Sequence, residues 1–424
     1  MGATLLVANC AGVGQNDNLT QYWPIRGTLN TQTSANRARV DIPVASGGTF
    51  SGMTLHVSAN TATVNSVWTL QDDSVNTALT LTVSADATGD FTDNTHSATI
   101  AGGSLVAYEL AIPTEAGTNT LTVKNASVVW TATSGTTSVM AASNSVTLTT
   151  AVTRYGHLGG DILNLQTTEA NGQDVCGVGM SGTNFFAEAS ANTWTANTTL
   201  RPRINNANGA GSGIVFATTE TGLKQDSTAQ TIAAGQAVGF SLVTAAGSGS
   251  ITLRFVGMEL SSTNGDWMHV CSVNAGVAQA FNVTNNVELA GDASAVSTTE
   301  TGVSGVQITP LVTFALSQLA VYVSANTIAT SASTFTLRAG AANSALTVSY
   351  AAAETGAKQD TTHSVTVTAS TTAVNWQVVT PNTSGTLTWR SIASIGHIDV
   401  AGASVTFPML ERFHVRGAFR GMHH

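Results

Sequence analysis

Six segments near the C-terminus decide the fold: LAVYVS (319–324), STFTLRAG (333–340), SALTVSYAA (344–352), HSVTVTAS (363–370), AVNWQVVT (373–380) and GTLTWRSI (385–392). In each segment apolar and polar residues alternate, and Gly, Asn or Ser separates it from the next. Period-2 alternation over short segments, with a turn signal every 8 to 12 residues, is typical of two packed antiparallel sheets. No segment has a convincing period of 3.6 residues. The sequence therefore predicts an all-β fold.

The same pattern recurs twice upstream, and three short markers give its period. The markers are Ser-Ala-Asn-Thr from Ser58, Ser190 and Ser324, Thr-Gly from Thr88, Thr221 and Thr355, and Asp-x-Thr from Asp93, Asp226 and Asp360. Successive copies of each marker are 132 to 134 residues apart. Weaker correspondences are Thr69-Leu70, Thr199-Leu200 and Thr336-Leu337 in one strand, and Tyr108, Phe240 and Trp376 in another. A fixed period of this length indicates repeated structural units. We predict three tandem antiparallel β-sandwich (jelly-roll-like) modules of about eight strands each.

The linkers between the copies suggest where each module ends. Each copy has a terminal strand-like segment, namely SVTLTT (145–150), AFNVTN (280–285) and SVTFPM (404–409). The predicted divisions are an N-terminal arm at 1–20, modules at 21–150, 151–284 and 285–410, and a C-terminal tail at 411–424.

Composition excludes several classes of function. Of the 424 residues 42% are hydrophobic and only 9% are charged, against about 25% charged in ordinary globular proteins. The 15 basic and 24 acidic residues give a net charge of −9, with no cationic stripe for a nucleic-acid backbone, so we expect no nucleic-acid partner. The uncharged run 305–327 contains Pro310 and alternates like two strands, so we expect no membrane span.

The cysteines and the N-terminus bear on the compartment. Cys10, Cys176 and Cys271 are odd in number and unrelated in position within the repeat. They form no disulfide framework and indicate a reducing compartment. The first residues carry no Lys or Arg ahead of the apolar stretch, so no signal peptide is expected.

The markers themselves have a local explanation. Asp and Thr side chains accept hydrogen bonds from nearby backbone N–H groups, so Asp-x-Thr predicts a turn before the next strand. Thr-Gly predicts a turn in which glycine takes a positive φ.

At these markers the sequence resembles a β-sandwich module of tailed-bacteriophage virion structural proteins. The third copy carries the pattern most fully, over 324–367, and the first matches through 58–100. The second departs, with Ala229 where the others have His96 and His363. The resemblance implies capsid decoration or cement proteins, head fibres or tail-associated pieces, and it brings no catalytic residue.

Candidate chemistry is sparse. Asp93 with His96, and Asp360 with His363, could hold a metal or move protons, but Ala229 breaks the pair in the second copy, and a turn-capping Asp with a surface-facing His is the better explanation. Glu220 and Glu354 recur before Thr-Gly, whereas the first copy has Ala87, which favours a role in the turn. No serine or cysteine has a base and an acid suited to a triad. We predict no catalytic, cofactor-binding or metal-binding residues, and that the chain is not an enzyme.

The C-terminal tail could dock on an acidic partner surface or be a solvated chain end. Its candidate residues are Arg412, Phe413, Arg416, Phe419 and Arg420. The arginines are four apart, as on a helix face, but Gly417 and Gly421 would each weaken a helix by about 1 kcal/mol, so an extended arm is as well supported. The N-terminal residues 1–20 are a second candidate arm. The final His423-His424 pair is either native or a cloning remnant.

The leading hypothesis is a virion protein that decorates or cements the capsid surface, with the major capsid protein as partner, further copies of itself as another, and assembly in the host cytoplasm. Three similar modules could place a pseudo-threefold unit where three capsid subunits meet. The alternative is a head or tail fibre that binds a host receptor or glycan, with Trp194 or Trp267 stacking on sugars or, equally, packing in a core. A bacterial surface-layer or adhesin protein is a third possibility, weakened by the missing signal peptide.

Overall fold

The computed structural model describes residues 2–16, 18–28, 37, 40–114, 119–133, 137–294, 296–302 and 305–398. In the described residues the regular elements are β-strands, apart from 3-10 conformation at Glu169–Gly172 and at Arg37, which confirms the all-β prediction. Within that part there is no helix of the length and hydrophobicity needed to cross a membrane.

The first module contains ten strands. These are β1 (Ala3–Asn16), β2 (Leu19–Trp23), β3 (Gly27–Thr28), β4 (Ile42–Val44), β5 (Gly48–Asn60), β6 (Ser66–Asp72), β7 (Val75–Val83), β8 (Gly89–Ile100), β9 (Ser104–Ile112) and β10 (Thr120–Ala132). One sheet has the order β3-β1-β10-β5-β8, and the other has the order β2-β9-β6-β7 with β4 beside β9. The eight long strands thus form two four-stranded sheets in the order of a jelly roll.

The second module repeats this arrangement with shorter outer strands. These are β11 (Thr137–Leu148), β12 (Thr153–Gly156), β13 (Gly160–Asp161), β14 (Gln173–Val175), β15 (Met180–Asn192), β16 (Thr198–Ile204), β17 (Ala207–Asn208), β18 (Ile214–Phe216), β19 (Gly222–Asp226), β20 (Gln230–Ile232), β21 (Ala237–Thr244) and β22 (Ile251–Ser261). One sheet contains β11-β22-β15 with β19 and β20 at its edge, and the other contains β12-β21-β16-β17.

The third module has nine strands. These are β23 (Trp267–Ala280), β24 (Thr284–Val287), β25 (Gly291–Asp292), β26 (Phe314–Asn326), β27 (Ser333–Ala339), β28 (Ala342–Tyr350), β29 (Gly356–Val367), β30 (Val374–Val379) and β31 (Thr386–His397). Its sheets are β23-β31-β26-β29 and β24-β30-β27-β28. The run 305–327, predicted as two strands, contains β26 and one isolated bridge between Ile308 and Val374.

Strand pairing moves the predicted module boundaries toward the N-terminus. Most of the segment 145–150 lies in β11, which pairs with β22 of the module that it begins. The segment 280–285 starts at the last residue of β23, which pairs with β31 of the module that it begins. Residues 3–16, predicted as part of an arm, are likewise the first strand of the first module, because β1 pairs with β10 along its length. Each copy therefore opens with its long apolar strand. The segment 404–409 lies outside the described residues.

Pairing also corrects one weak correspondence. Leu70 pairs with Tyr108, Pro202 with Phe240 and Leu337 with Trp376. Arg201-Pro202, and not Thr199-Leu200, is therefore the equivalent of Thr69-Leu70. The aromatic correspondence stays as predicted.

The Thr-Gly and Ser-Ala-Asn-Thr markers fix turns, whereas Asp93 and Asp360 of the Asp-x-Thr marker lie inside β8 and β29, where a turn before the next strand was predicted. Gly89, Gly222 and Gly356 of the Thr-Gly marker have φ of 100°, 94° and 97°, so the prediction of positive φ is confirmed. In the Ser-Ala-Asn-Thr marker, the asparagine side chain makes equivalent hydrogen bonds in every copy. Asn326 Nδ2 donates to the carbonyls of Ala351 and Glu354, both at 3.0 Å, and its Oδ1 accepts from Ile328 N at 3.0 Å. Asn60 and Asn192 bond in the same pattern.

Candidate functional site

The Asp-His pairs singled out in the sequence lie within β8 and β29, where each carboxylate accepts backbone N–H groups at a β-bulge. Asp360 accepts N–H bonds from Thr347, Thr362 and His363 at 3.1 to 3.2 Å. Burial acts to raise the pKa of Asp360, but these bonds outweigh it and lower the pKa to about 2. His363 lies beside the carboxylate with its side chain 51% exposed. Asp93 and His96 repeat this geometry. In the described residues no three His, Cys, Asp or Glu side chains are grouped to hold a metal.

Other candidates from the sequence lie in turns or in the core. Glu220 and Glu354 each accept the backbone N–H three residues earlier and pair with the lysine four residues later. Trp194 and Trp267 are fully buried, so they pack in cores and present no face to a sugar. Cys176 and Cys271 are buried free thiols. The five docking residues of the tail, Arg412, Phe413, Arg416, Phe419 and Arg420, and the pair His423-His424 lie outside the described residues.

The candidate functional site consists of the contact surfaces between modules, which we call seams. The first strand of each module is buried on both faces. In β1, Leu6 and Ala8 face the core of their own module, whereas Leu5 and Val7 belong to the core of the third module. The apolar N-terminal stretch is therefore a strand covered on both sides.

The same exchange occurs at the other two seams. Val139 and Ala141 of β11 join the core of the first module, and Met268 and Val270 of β23 join the core of the second. By their pairing, Val7, Ala141 and Val270 are equivalent positions. The first module covers the second, the second covers the third, and the third covers the first. The three modules close into a ring with a pseudo-threefold axis, and we call its contacts the 1–2, 2–3 and 3–1 seams.

Three equivalent glycines bring the backbones together around this axis. Gly27, Gly160 and Gly291 have φ of 93°, 81° and 104°. A Cβ on Gly27 would lie 2.6 Å from Ser143 Oγ, one on Gly160 would lie 2.3 Å from Ser272 O, and one on Gly291 would lie 2.1 Å from Asn9 Oδ1. Each glycine thus touches the first strand of another module, at a distance that no side chain permits.

Hydrogen bonds follow the same cycle. Ser143 Oγ donates to Thr28 O at 2.9 Å across the 1–2 seam. Asn274 Nδ2 donates to Asp161 O at 2.8 Å across the 2–3 seam. Asn9 Oδ1 accepts from the backbone N–H of Asp292 across the 3–1 seam. Sequence analysis missed these positions, although the three glycines recur at intervals of 133 and 131 residues and could have served as a fourth marker.

One arginine crosses the centre of the ring. Arg26 is buried, and its Nη2 donates to Met268 O at 2.7 Å and contacts Met140 Sδ at 3.4 Å. The first module thereby contacts both of the others through a single side chain. Burial lowers the pKa of Arg26 to about 10. Burial, reinforced by the charge of Arg26, holds the pKa of His269 well below its usual value, so we expect this imidazole to be neutral and to accept the hydrogen bond from Trp267 Nε1 at 2.8 Å.

Carboxyl groups are buried around the same axis. Burial, together with the nearby Asp292, raises the pKa of Asp161 to about 7. Burial also raises the pKa of Asp292, and it raises the pKa of Glu288 well above the usual value although Asn9 and Asn125 act against it. Burial thus favours the uncharged, protonated form of these three carboxyl groups.

The 3–1 seam contains a groove. It has a volume of about 440 Å³, with Thr54, Leu55, Asp90, Thr92, Asn94 and Asn125 on the first module and Ile308, Thr309, Leu311 and Ser370 on the third. At the 1–2 seam, the positions equivalent to Thr54 and Asn125 are Phe186 and Phe255, whose rings pack against the first core with centroids 5.9 Å apart. The equivalent positions at the 2–3 seam, Ala320 and Ser391, are also small, so the two phenylalanines are particular to the 1–2 seam, and small polar residues line the groove at the 3–1 seam.

Comparison with known proteins gives no family. No family model matches the chain, and no curated protein matches it. Among solved structures, one from the Sulfolobus turreted icosahedral virus is similar over 83% of this chain and 80% of that chain, at 12% identity and a TM-score of 0.19. A structure described as the triple jelly roll fold and turret assembly in an archaeal virus is similar over 84% of this chain and 82% of that chain, at 13% identity and a TM-score of 0.18. A xanthan lyase from Paenibacillus is similar over 66% of this chain and 30% of that chain, at 14% identity and a TM-score of 0.18.

Proposed function

We propose that the protein is a virion structural protein that decorates the capsid surface and cements the lattice of the major capsid protein, assembling in the host cytoplasm. The observation that carries this proposal is the closure of three jelly-roll modules into a ring through equivalent residues at each seam. A pseudo-threefold ring matches the symmetry of a point where three capsid subunits meet. One such ring could contact all three subunits at once.

The surface of the modules supports a scaffold role. Exposed large apolar side chains are scattered singly among the described residues, as Leu19, Val64, Val75, Val243 and Phe281. Thr, Ser and Asn dominate the exposed strand positions. Such a surface suits broad, hydrated contacts to a neighbouring shell. Trp194 and Trp267 are buried, so they do not provide the exposed aromatic surface on which sugars would stack in the fibre alternative.

The experiment is cryo-electron microscopy of the particles from which the protein comes, combined with reconstitution. Purified protein is added to capsids that lack it, and the temperature at which the shells rupture is measured. We expect density for the ring at threefold or quasi-threefold positions and a higher rupture temperature. Absence of the protein from the shell, with no binding to capsids and specific binding on a glycan array, would overturn the cement proposal in favour of a fibre.

A further inference from the structure

The groove at the 3–1 seam lacks the aromatic filling that its counterpart has. Phe186 and Phe255 close the 1–2 seam, and both are buried. Thr54 and Asn125 at the equivalent positions are polar and short, while Ile308 supplies an apolar wall opposite them. An apolar wall of this kind favours an aromatic or large aliphatic side chain as occupant.

The groove also carries a negative charge. The side chain of Asp90 is 54% exposed and lies 2.5 Å from His56 Nδ1. Asp90 and Thr309 also line a neighbouring cavity of about 190 Å³, together with His56. The carboxylate favours a basic side chain beside the apolar one.

The last strand of the third module ends within reach of this groove. β31 ends at His397, which pairs with Ala315 and lines another cavity with it. Leu311 of the groove wall lies four residues before Ala315. Four extended residues span about 13 Å and paired strands are about 5 Å apart, so His397 lies within about 20 Å of Leu311.

The remaining sequence has the composition that the groove requires. It includes Phe413 and Phe419, with Arg412, Arg416 and Arg420 among them. From Ile398 to Phe413 there are fifteen residues, which span up to about 50 Å when extended at about 3.3 Å per residue. A segment tethered so closely has an effective concentration in the millimolar range, on the order of 1 mM.

We propose that the C-terminal tail, residues 411–424, docks in the 3–1 groove of its own chain. Phe413 or Phe419 fills the space that Phe186 and Phe255 fill at the 1–2 seam, and a neighbouring arginine pairs with Asp90. The tail then lies along the 3–1 seam. This proposal is independent of the capsid function.

Photo-crosslinking in the full chain tests where the tail lies. Phe413 is replaced by the photoreactive analogue p-benzoylphenylalanine, and crosslinked peptides are mapped by mass spectrometry. We expect intramolecular crosslinks to 54–55, 90–94 or 308–311. Crosslinks mainly to another copy, or to other surfaces of the same chain, would overturn the proposal.

Limited trypsin digestion gives an independent readout, because Arg412, Arg416 and Arg420 are cleavage sites. Thr54→Phe fills the groove as Phe186 fills the 1–2 seam, and we expect it to speed cleavage in the tail at least tenfold. Thr231→Phe, at an exposed position of β20, is the matched control and should leave the rate unchanged. Circular dichroism and the unfolding midpoint establish that both variants fold. Equal tail cleavage in wild type, control and folded Thr54→Phe would contradict the inference.

Discussion

Substitution of Gly291 by alanine tests the closed ring most directly. The added Cβ would lie 2.1 Å from Asn9 Oδ1, 2.6 Å from Asn9 Cγ and 2.9 Å from Gly27 O. The 3–1 seam must open to admit it, which removes the hydrogen bond from Asp292 N to Asn9. Overpacking of this kind costs about 1 to 3 kcal/mol. The positive φ of Gly291 adds about 1 to 2 kcal/mol for any residue with a Cβ.

Gly356 in the same module provides a matched control. Its φ is 97°, and no atom lies within 4 Å of a Cβ built on it. Gly356→Ala therefore incurs the backbone strain alone, about 1 to 2 kcal/mol. The difference between the two variants, about 1 to 3 kcal/mol, measures the close approach at the seam.

The assay is urea-induced unfolding, followed by tryptophan fluorescence and circular dichroism. We expect Gly291→Ala to lose more free energy of unfolding than Gly356→Ala, and its two probes to separate if the opened ring unfolds module by module. Equal losses in the two variants, with coincident transitions, would refute the reasoning that the three backbones meet at these glycines.

Three further predictions concern the buried groups and the turns. The raised pKa of Asp161 means that the folded chain binds a proton that the unfolded chain has released. The free energy of unfolding should therefore fall as pH rises from about 4 to 7, by up to about 4 kcal/mol. Urea titrations across this range should show that the free energy of unfolding changes less with pH in Asp161→Asn than in the wild type. Asn326→Ala removes the hydrogen bonds to Ala351 O, Glu354 O and Ile328 N, while Ala351 O keeps its bond from Glu354 N. The substitution should lower the free energy of unfolding by about 2 to 4 kcal/mol in the same titration; a loss under about 0.5 kcal/mol would contradict its role in the turn. His96→Ala and His363→Ala remove exposed side chains and should change stability by less than about 0.5 kcal/mol, and added Zn²⁺ should not shift the unfolding midpoint of the wild type; a shift that both substitutions abolish would show a metal site.

The module count and the turn chemistry were predictable because they depend on local patterns. Strand alternation has a period of two, and the markers recur at one spacing, so neither requires knowledge of the partner strand. The positive φ of Gly356 follows from the turn alone. Local sequence is sufficient wherever the physical cause lies within a few residues.

The module boundaries were not predictable in this way. A long apolar strand such as β11 can close one sandwich or open the next, and only its pairing with β22 decides between them. Burial on both faces made β1 similar to a linker or an arm in the sequence, because it lacks alternation. The central groups, such as Arg26 and Asp161, were missed for a related reason: their partners are in other modules, more than 100 residues away.

Fusion of three modules in one chain allows the seams to differ, which three identical subunits would not. Arg26 occupies a position at the axis where the other modules have Gly159 and Ala290. A Cβ on Gly159 would already lie 2.7 Å from Val270 Cβ, so a second arginine there has no room, and it would add like charge to the centre. The backbone thus has approximate threefold symmetry, whereas the side chains at the axis and at the 3–1 groove do not follow it. A partner with true threefold symmetry binds such a ring with equal affinity in each of three orientations, whereas a partner without that symmetry can distinguish them through side chains outside the shared pattern, such as those of the 3–1 groove.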